Sequence, residues 1–351
     1  MRKQVLRTQI STETTLPIHS HCKKEVISRQ SYHTASLHAI EMSDAYSPHI
    51  EIQPDVHLIR GMNNARFPEA NCLLINDKQL TLLDAGASIE NITATVRHIG
   101  RKITDITQII LTHFHVDHKG HAAEIQRISD CDIICHPLAQ KGIETLDGTV
   151  EFYGIKGHRY YERWREMIAM RMPYVIADYR VTGHFKDGET ITIGDTQLIP
   201  LHSPGHTEDH TIFGINGKEI LMLVDIDLTR FGPWYGNLVS ELSKFRESIS
   251  KVIELEPSVG ISSHLIDPVS ENLDTRLKEY LKVFDTREQR IIKLVKEGKN
   301  TIELLSKVPT IYPRIPYDAY LIFEEYMLIK HIEDMAKRGI AEFDGERIKI
   351  V

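Results

Sequence analysis

A chain of 351 residues, 41% of them hydrophobic, can bury one large core or two smaller ones. A net charge of −7 argues against a nonspecific binder of nucleic acid or anionic membranes, and no uninterrupted apolar run reaches the length of a membrane span. Cys22, Cys72, Cys131 and Cys135 make no paired disulfide framework and follow no apolar leader core, so buried thiols in a reducing, cytoplasmic setting are expected.

Residues 1–48 are polar, His-rich and aperiodic, and read as a loosely ordered extension. No chemistry is assigned there to His19, His21, His33 or His38. Segments 50–60, 71–75 and 80–83 read as strands, the last two joined at Asn76-Asp77. Asp84-Ala85-Gly86 closes the third strand before a helical stretch at 89–99. The apolar run 106–111 then feeds His113, His115, Asp117 and His118, ahead of a helix-like stretch at 122–128. In an extended segment, residues two apart point the same way. His113 and His115 can therefore grip one ion while Asp117 and His118, turning into the helix, face another. A lone histidine among 19 is usually a surface or core residue, but this spacing on a strand-to-helix loop points to two metals.

A strand at 132–135 and a helix at 137–146 follow, and then the alternation is interrupted. Residues 148–186 carry Tyr160, Tyr161, Trp164 and several methionines, too apolar for a solvated loop of that length, and read as a partly helical insertion. Hairpin patterns at 190–201 and 211–224 end in Ser203-Pro204-Gly205-His206-Thr207 and in Val224-Asp225-Ile226-Asp227, the second hairpin turning at Asn216-Gly217. Pro204 and Gly205 suit a rigid turn with close backbone approach. His202 and His210 read as a strand-end residue and a supporting one. A loop at 228–237 with Trp234 and Tyr235, an amphipathic helix at 241–255 and a strand at 259–263 lead to His264.

In their order and spacing, the His113-to-His118 run, the Ser-Pro-Gly-His-Thr run, the strand-end aspartate and His264 resemble the motifs of the metallo-β-lactamase superfamily. The resemblance implies an α/β four-layer αββα sandwich with a metal site at one edge of its two sheets. It gives His113, His115 and His206 to one metal and Asp117, His118 and His264 to a second. Asp225 would bridge them, and Asp84 would brace the ligand loop from behind. Asp117 and Asp225 are the carboxylates expected to serve catalysis as well as binding. Asp225 is preferred over Asp227 although Val224 stands where the family usually has glycine. Two Zn²⁺ per chain are expected, with Fe or Mn as alternatives. A hydroxide held between two ions would then hydrolyse a small ester, thioester or lactone, with no serine or cysteine nucleophile. Some relatives instead use one iron for persulfide oxidation. The electron-transfer branch usually places a glutamate where this chain has His115.

From 286 the pattern is helical at 287–295, 301–306 and 319–337, and then hairpin-like around Asp344-Gly345, as in a winged helix. The expected domains are thus an extension at 1–48, the metal domain at 49–285 with its insertion at 148–186, and the winged helix at 286–351. The last holds 12 Lys/Arg against 11 Asp/Glu, too balanced for a duplex DNA reader. Related proteins with such a tail include one that cleaves single-stranded RNA. RNA is therefore the rival substrate to a small acyl compound, and a noncatalytic nucleic-acid binder is a further alternative. No membrane partner is expected, and a homo-oligomer is allowed. Substrate contacts are expected from Tyr160, Tyr161 and Trp164 in the insertion and from Trp234 and Tyr235 in the loop beyond Asp225.

Overall fold

Runs of buried aliphatic residues build a first sheet near the outset of the described region, residues 47–351 of a computed structural model. The expectations for residues 1–46, Cys22 included, lie outside that region. The segment expected as one strand at 50–60 is two, β1 (His49–Gln53) and β2 (Val56–Ile59), because Pro54-Asp55 turns the chain and Asp55 takes a φ of 62°. β3 (Cys72–Asn76), β4 (Leu80–Leu83), β5 (Ile106–Leu111), β6 (Asp132–Cys135) and β7 (Gly183–His184) complete a sheet in simple sequence order. Neighbours are antiparallel up to β4 and parallel from β4 onward. Every residue of β2 and β4 is buried, as expected for strands covered on both faces.

The second sheet runs β12-β11-β10-β9-β8, from β8 (Ile191–Thr192), β9 (Gln197–His202), β10 (Thr211–Ile215), β11 (Ile220–Val224) and β12 (Val259–Ser262). β11 and β12 are parallel, so a crossover is required. The amphipathic helix Leu242–Glu254 supplies it, burying Leu242, Phe245, Ile249 and Val252. One hydrophobic cluster runs through both sheets, and Phe185 meets Phe213 edge-on across it. The fold is mixed α/β, and the candidate ligands sit just beyond the ends of β5, β9, β11 and β12.

Three further departures from the sequence expectation have local causes. The helix expected at 137–146 is two short ones, Gln140–Ile143 and Leu146–Tyr153, because the Thr145 hydroxyl accepts from Gly148 N–H and starts the second anew. The insertion expected at 148–186 therefore begins inside a helix, before Tyr161–Arg171 and the 3₁₀ turn Pro173–Ile176. The helix expected at 287–295 is the second half of the 24-residue Leu273–Lys296, and the boundary drawn at 286 falls within it. That helix packs on Leu242–Glu254, so the tail grows out of an element already seated on the second sheet. Helices Ile302–Ser306 and Tyr320–Lys337 and the hairpin β13 (Ala341–Phe343) to β14 (Ile348–Ile350) complete the chain. Among the described residues no helix is long and apolar enough to cross a membrane.

One buried cation ties the ligand loop to the insertion. Lys119, 1% exposed, donates from Nζ to the Ile143 carbonyl at 3.1 Å and to Thr149 Oγ1 at 2.9 Å. Burial lowers its pKa from 10.5 to about 7. The unfolded chain holds that proton to a higher pH than the folded one, so Lys119 makes stability rise with pH between about 7 and 10. The stability difference between wild type and Lys119→Met in urea titrations should therefore move in favour of wild type across that window, with a slope approaching about 1.4 kcal/mol per pH unit. A flat difference would mean that the buried amine stays charged.

Candidate metal centre

The ligand loop is fixed from beneath by one carboxylate. Asp84, at the end of β4 with a φ of 63°, accepts from Thr112 N–H and Thr112 Oγ1, both at 2.9 Å, and from His118 Nδ1 at 2.8 Å. Thr112 Oγ1 lies 3.1 Å from His113 Nδ1, so the two imidazoles are steered by one anion, directly and through a hydroxyl. Gly86 is required for close approach, because a Cβ there would fall 1.8 Å from the Asp117 carbonyl.

His206 is delivered by the turn after β9. Gly205 takes a φ of 129° and presses on the helix Leu242–Glu254, where a Cβ would come within 2.1 Å of Phe245 N. His206 Nδ1 donates to the Trp234 carbonyl at 2.8 Å, leaving Nε2 inward, and its own carbonyl accepts from Asn237 Nδ2 and Ser240 Oγ. His264 Nδ1 donates to the Ala65 carbonyl at 2.7 Å, which also turns Nε2 inward. His202 ends β9, with Nε2 2.8 Å from the Glu208 carbonyl. His210 Nδ1 donates to the Ser203 carbonyl, and its Nε2 accepts the Asp225 N–H at 3.2 Å, so it positions the aspartate's backbone.

The inward atoms gather into two groups, His113, His115, His206 and Asp225 in one and Asp117, His118 and His264 in the other, with the atoms of each group within 4.8 Å of one another. Asp225 faces both. Its Oδ2 lies 3.0 Å from His206 Nε2 and 3.8 Å from His113 Nε2, while Oδ1 lies 3.1 Å from His118 Nε2 and 3.5 Å from His264 Nε2. Burial works against the charged form, yet His118, His206 and His264 hold the Asp225 carboxyl well below its usual range. Burial holds His113 and His115 well below the usual imidazole value, which favours neutral rings able to donate a lone pair. Asp227 is occupied otherwise, its Oδ1 accepting from Thr229 N–H and Oγ1.

Buried His113 Nε2 has no hydrogen-bond partner among the described residues, and His118 Nε2 and Asp225 Oδ1 have none beyond each other at 3.1 Å. Orphaned polar atoms of this kind, aimed at one another, are what divalent ions would satisfy.

The family model for the metallo-beta-lactamase superfamily matches residues 66–281. This chain belongs to the metallo-beta-lactamase superfamily. The atrochrysone carboxyl ACP thioesterase of Passalora fulva is 23% identical over 253 residues, covering 69% of this chain and 62% of the relative, so less than two thirds of that protein's length is represented. The beta-lactamase-like protein 2 homolog of Drosophila melanogaster is 23% identical over 273 residues, 76% of this chain and 82% of the relative. Among solved structures, a metallo-beta-lactamase family protein of Thermus thermophilus shares the fold with a TM-score of 0.66 at 18% identity, covering 86% of this chain and 100% of its own. Family model and fold agree, and the chain carries a His/Asp cluster that could hold metal ions.

The cluster opens into a cavity of about 790 Å³. Of the residues expected to meet substrate, Trp234 lines it; Tyr160, Tyr161, Trp164 and Tyr235 are not among its described lining residues. The reason is packing: Trp164 lies 5.9 Å from the ring of Tyr153, and Tyr153 takes the cavity position, stacked on His115 at 5.1 Å. Tyr235 is fully buried, its hydroxyl 2.6 Å from His331 Nε2. The walls missed by sequence reading are Tyr312, Tyr320 and Phe323 of the tail. Their one signal was the apolar, proline-broken run Ile311-Tyr312-Pro313-Arg314-Ile315-Pro316-Tyr317, unusual for a solvated connection.

Asp225→Ala should strip metal from both groups, read by elemental analysis after dialysis, whereas Asp227→Ala should keep its metal because its carboxylate serves Thr229. The reverse pattern would shift the shared ligand to Asp227.

Proposed function

We propose that this chain hydrolyses a small ester, thioester or lactone using two divalent ions. His113, His115 and His206 would hold one, Asp117, His118 and His264 the other, and Asp225 both. The observation that carries this reading is the division of the Asp225 carboxylate, one oxygen toward each histidine group. Nitrogen and oxygen donors without thiolate suit Zn²⁺ first, with Fe or Mn as alternatives. When bound, such ions polarise a carbonyl and acidify water at neutral pH, which removes the need for a serine or cysteine nucleophile.

The chain's own residues supply the rest. Asp225 and Asp117 provide the negative charge that holds the ions, and the outer hydrogen bonds of His118, His206 and His264 fix the inward nitrogens. Tyr153, Trp234 and Phe323 exclude water beside His115 and His206 and offer an apolar seat for an acyl group. Burial pushes the Tyr153 phenol well up, so the ring stacked on His115 stays neutral. The thioesterase name of the Passalora fulva relative favours thioesters within this class. We read residues 286–351 as a winged-helix-like unit that walls the cavity instead of reading duplex DNA. Its near-balance of 12 Lys/Arg and 11 Asp/Glu and its aromatic lining residues support that role.

Protein prepared without chelator should carry close to two metal equivalents and hydrolyse members of an ester, thioester and lactone panel, with activity lost to a chelator and restored by zinc. One equivalent of iron, with oxygen consumed on a persulfide, would overturn this in favour of a dioxygenase. In a separate measurement, gel-shift titration of the full chain at physiological salt should show no duplex DNA binding in the low micromolar range. Tight, salt-sensitive binding would overturn the scaffold role of the tail.

A further inference from the structure

The cavity has two unlike halves. On the side of His115 and His206 its wall is aromatic: Trp234 lies 5.1 Å and 5.6 Å from those rings, Tyr153 stacks on His115, and Phe323 backs Trp234 at 5.4 Å. The lining also includes His264 and three arginines, Arg66, Arg230 and Arg276. Arg66 follows Ala65, whose carbonyl takes the His264 Nδ1 hydrogen. Arg276 Nη2 reaches the Leu228 carbonyl at 3.4 Å, next to Asp227, whose main-chain oxygen accepts from the Ser262 hydroxyl that in turn accepts from His264 N–H. Arg230 stands two residues beyond Leu228 on the same loop.

What sets these cations apart is that they share one cavity. Acids outnumber bases 49 to 42, and Arg60, Arg159, Arg246 and Arg338 each pair with a carboxylate. Among the described residues Arg66, Arg230 and Arg276 have no carboxylate within ion-pair distance, although they share one cavity. The nearby acids are engaged, Asp267 with Arg60 and Asp227 with Thr229. Guanidinium groups without carboxylate partners beside a hydrolytic centre form a receptor for phosphate or carboxylate.

Resting on the hydrolase reading above, we infer that Arg66, Arg230 and Arg276 bind an anionic group on the leaving thiol of a thioester whose acyl part lies against Trp234, Tyr153 and Phe323. In the reaction water adds across the thioester. A carbon–oxygen bond forms, the carbon–sulfur bond breaks, and the sulfur leaves with a proton as a phosphate- or carboxylate-bearing thiol, while the acyl part leaves as a carboxylic acid. The aromatic wall beside the cationic lining fits one such molecule better than the run of phosphates on a nucleic acid.

The test uses hexanoyl thioesters of three thiols on the full metal-loaded chain. N-acetylcysteamine is neutral, N-acetylcysteine differs from it by a carboxylate, and coenzyme A carries phosphates. kcat/KM should favour the anionic thioesters by about tenfold or more. The ranking of N-acetylcysteine against coenzyme A tells carboxylate from phosphate. In Arg230→Gln/Arg276→Gln, and separately in Arg66→Gln, the anionic-to-neutral ratio should fall toward one, while the exposed Arg97→Gln control keeps it. Calorimetry with S-hexyl coenzyme A, which cannot be hydrolysed, gives a readout independent of turnover, and its binding should weaken in the same variants. If no thioester is cleaved but S-hexyl coenzyme A binds in an arginine-dependent way, the anion site stands and the hydrolase reading falls. A ratio near one in wild type, or one the arginine variants leave untouched, overturns the inference. So does tighter arginine-dependent binding of a single-stranded oligonucleotide than of S-hexyl coenzyme A.

Discussion

Five imidazoles and two carboxylates buried against one another cannot be held by their mutual attraction, because a buried polar group without a partner costs on the order of 1–3 kcal/mol. The structure meets this constraint from outside the cluster. Asp84 holds His118 and, through Thr112, His113; the Trp234 carbonyl holds His206; the Ala65 carbonyl holds His264. Each of these partners belongs to a strand end or an adjoining loop, so the geometry of the centre is set by the sheets, and the inward nitrogens are held in a fixed arrangement.

One of those outer partners depends on the far end of the chain. Trp234 sits in the loop 228–237, whose Phe231 and Pro233 carbonyls accept from the buried Arg287 guanidinium of helix Leu273–Lys296. Tyr235 in the same loop meets both Arg287 and His331, and Trp234 Nε1 donates to the Tyr312 hydroxyl at 2.7 Å. Tyr312 is placed in turn by the Glu324 carboxylate, which accepts from the N–H groups of Ile311 and Tyr312. A continuous series of hydrogen bonds thus runs from helix Tyr320–Lys337 to the carbonyl that aims His206. The tail is therefore mechanically part of the centre, and loosening it would disturb the aim of His206 as well as a cavity wall.

The centre was legible in the sequence because its signals are local. The His113-to-His118 spacing, the Pro204-Gly205 turn before His206 and the strand-end positions of Asp225 and His264 each involve a few consecutive residues. The cavity was not, because Trp234 and Tyr312 meet across 78 residues and no short pattern encodes that pairing. Burial of Trp164 also misled: its richness in apolar surface serves the packing of the insertion behind Tyr153, one layer away from the cavity. A helix runs through residue 286 for a simpler reason. Helical spacing continues unbroken from Leu273 to Lys296, with no glycine or proline to stop it.

Val224 shows how the Asp225 carboxylate is aimed without a glycine before it. Its φ of 54° lies in the left-handed region, where a β-branched residue is strained by roughly 1–2 kcal/mol. The same residue is fully buried, and a buried valine side chain contributes about 1.5–3 kcal/mol, enough to offset that strain. The β11 register shifts against β12 between Met222 and Val224, so the strand bends just where Asp225 must leave it. His210 then takes the Asp225 N–H, completing the bend. The aspartate's direction is therefore fixed by packing and by one hydrogen bond. Because the aim of the shared ligand is settled within the two sheets, the loop 228–237 and the tail can set the cavity's character without moving the carboxylate that faces both histidine groups.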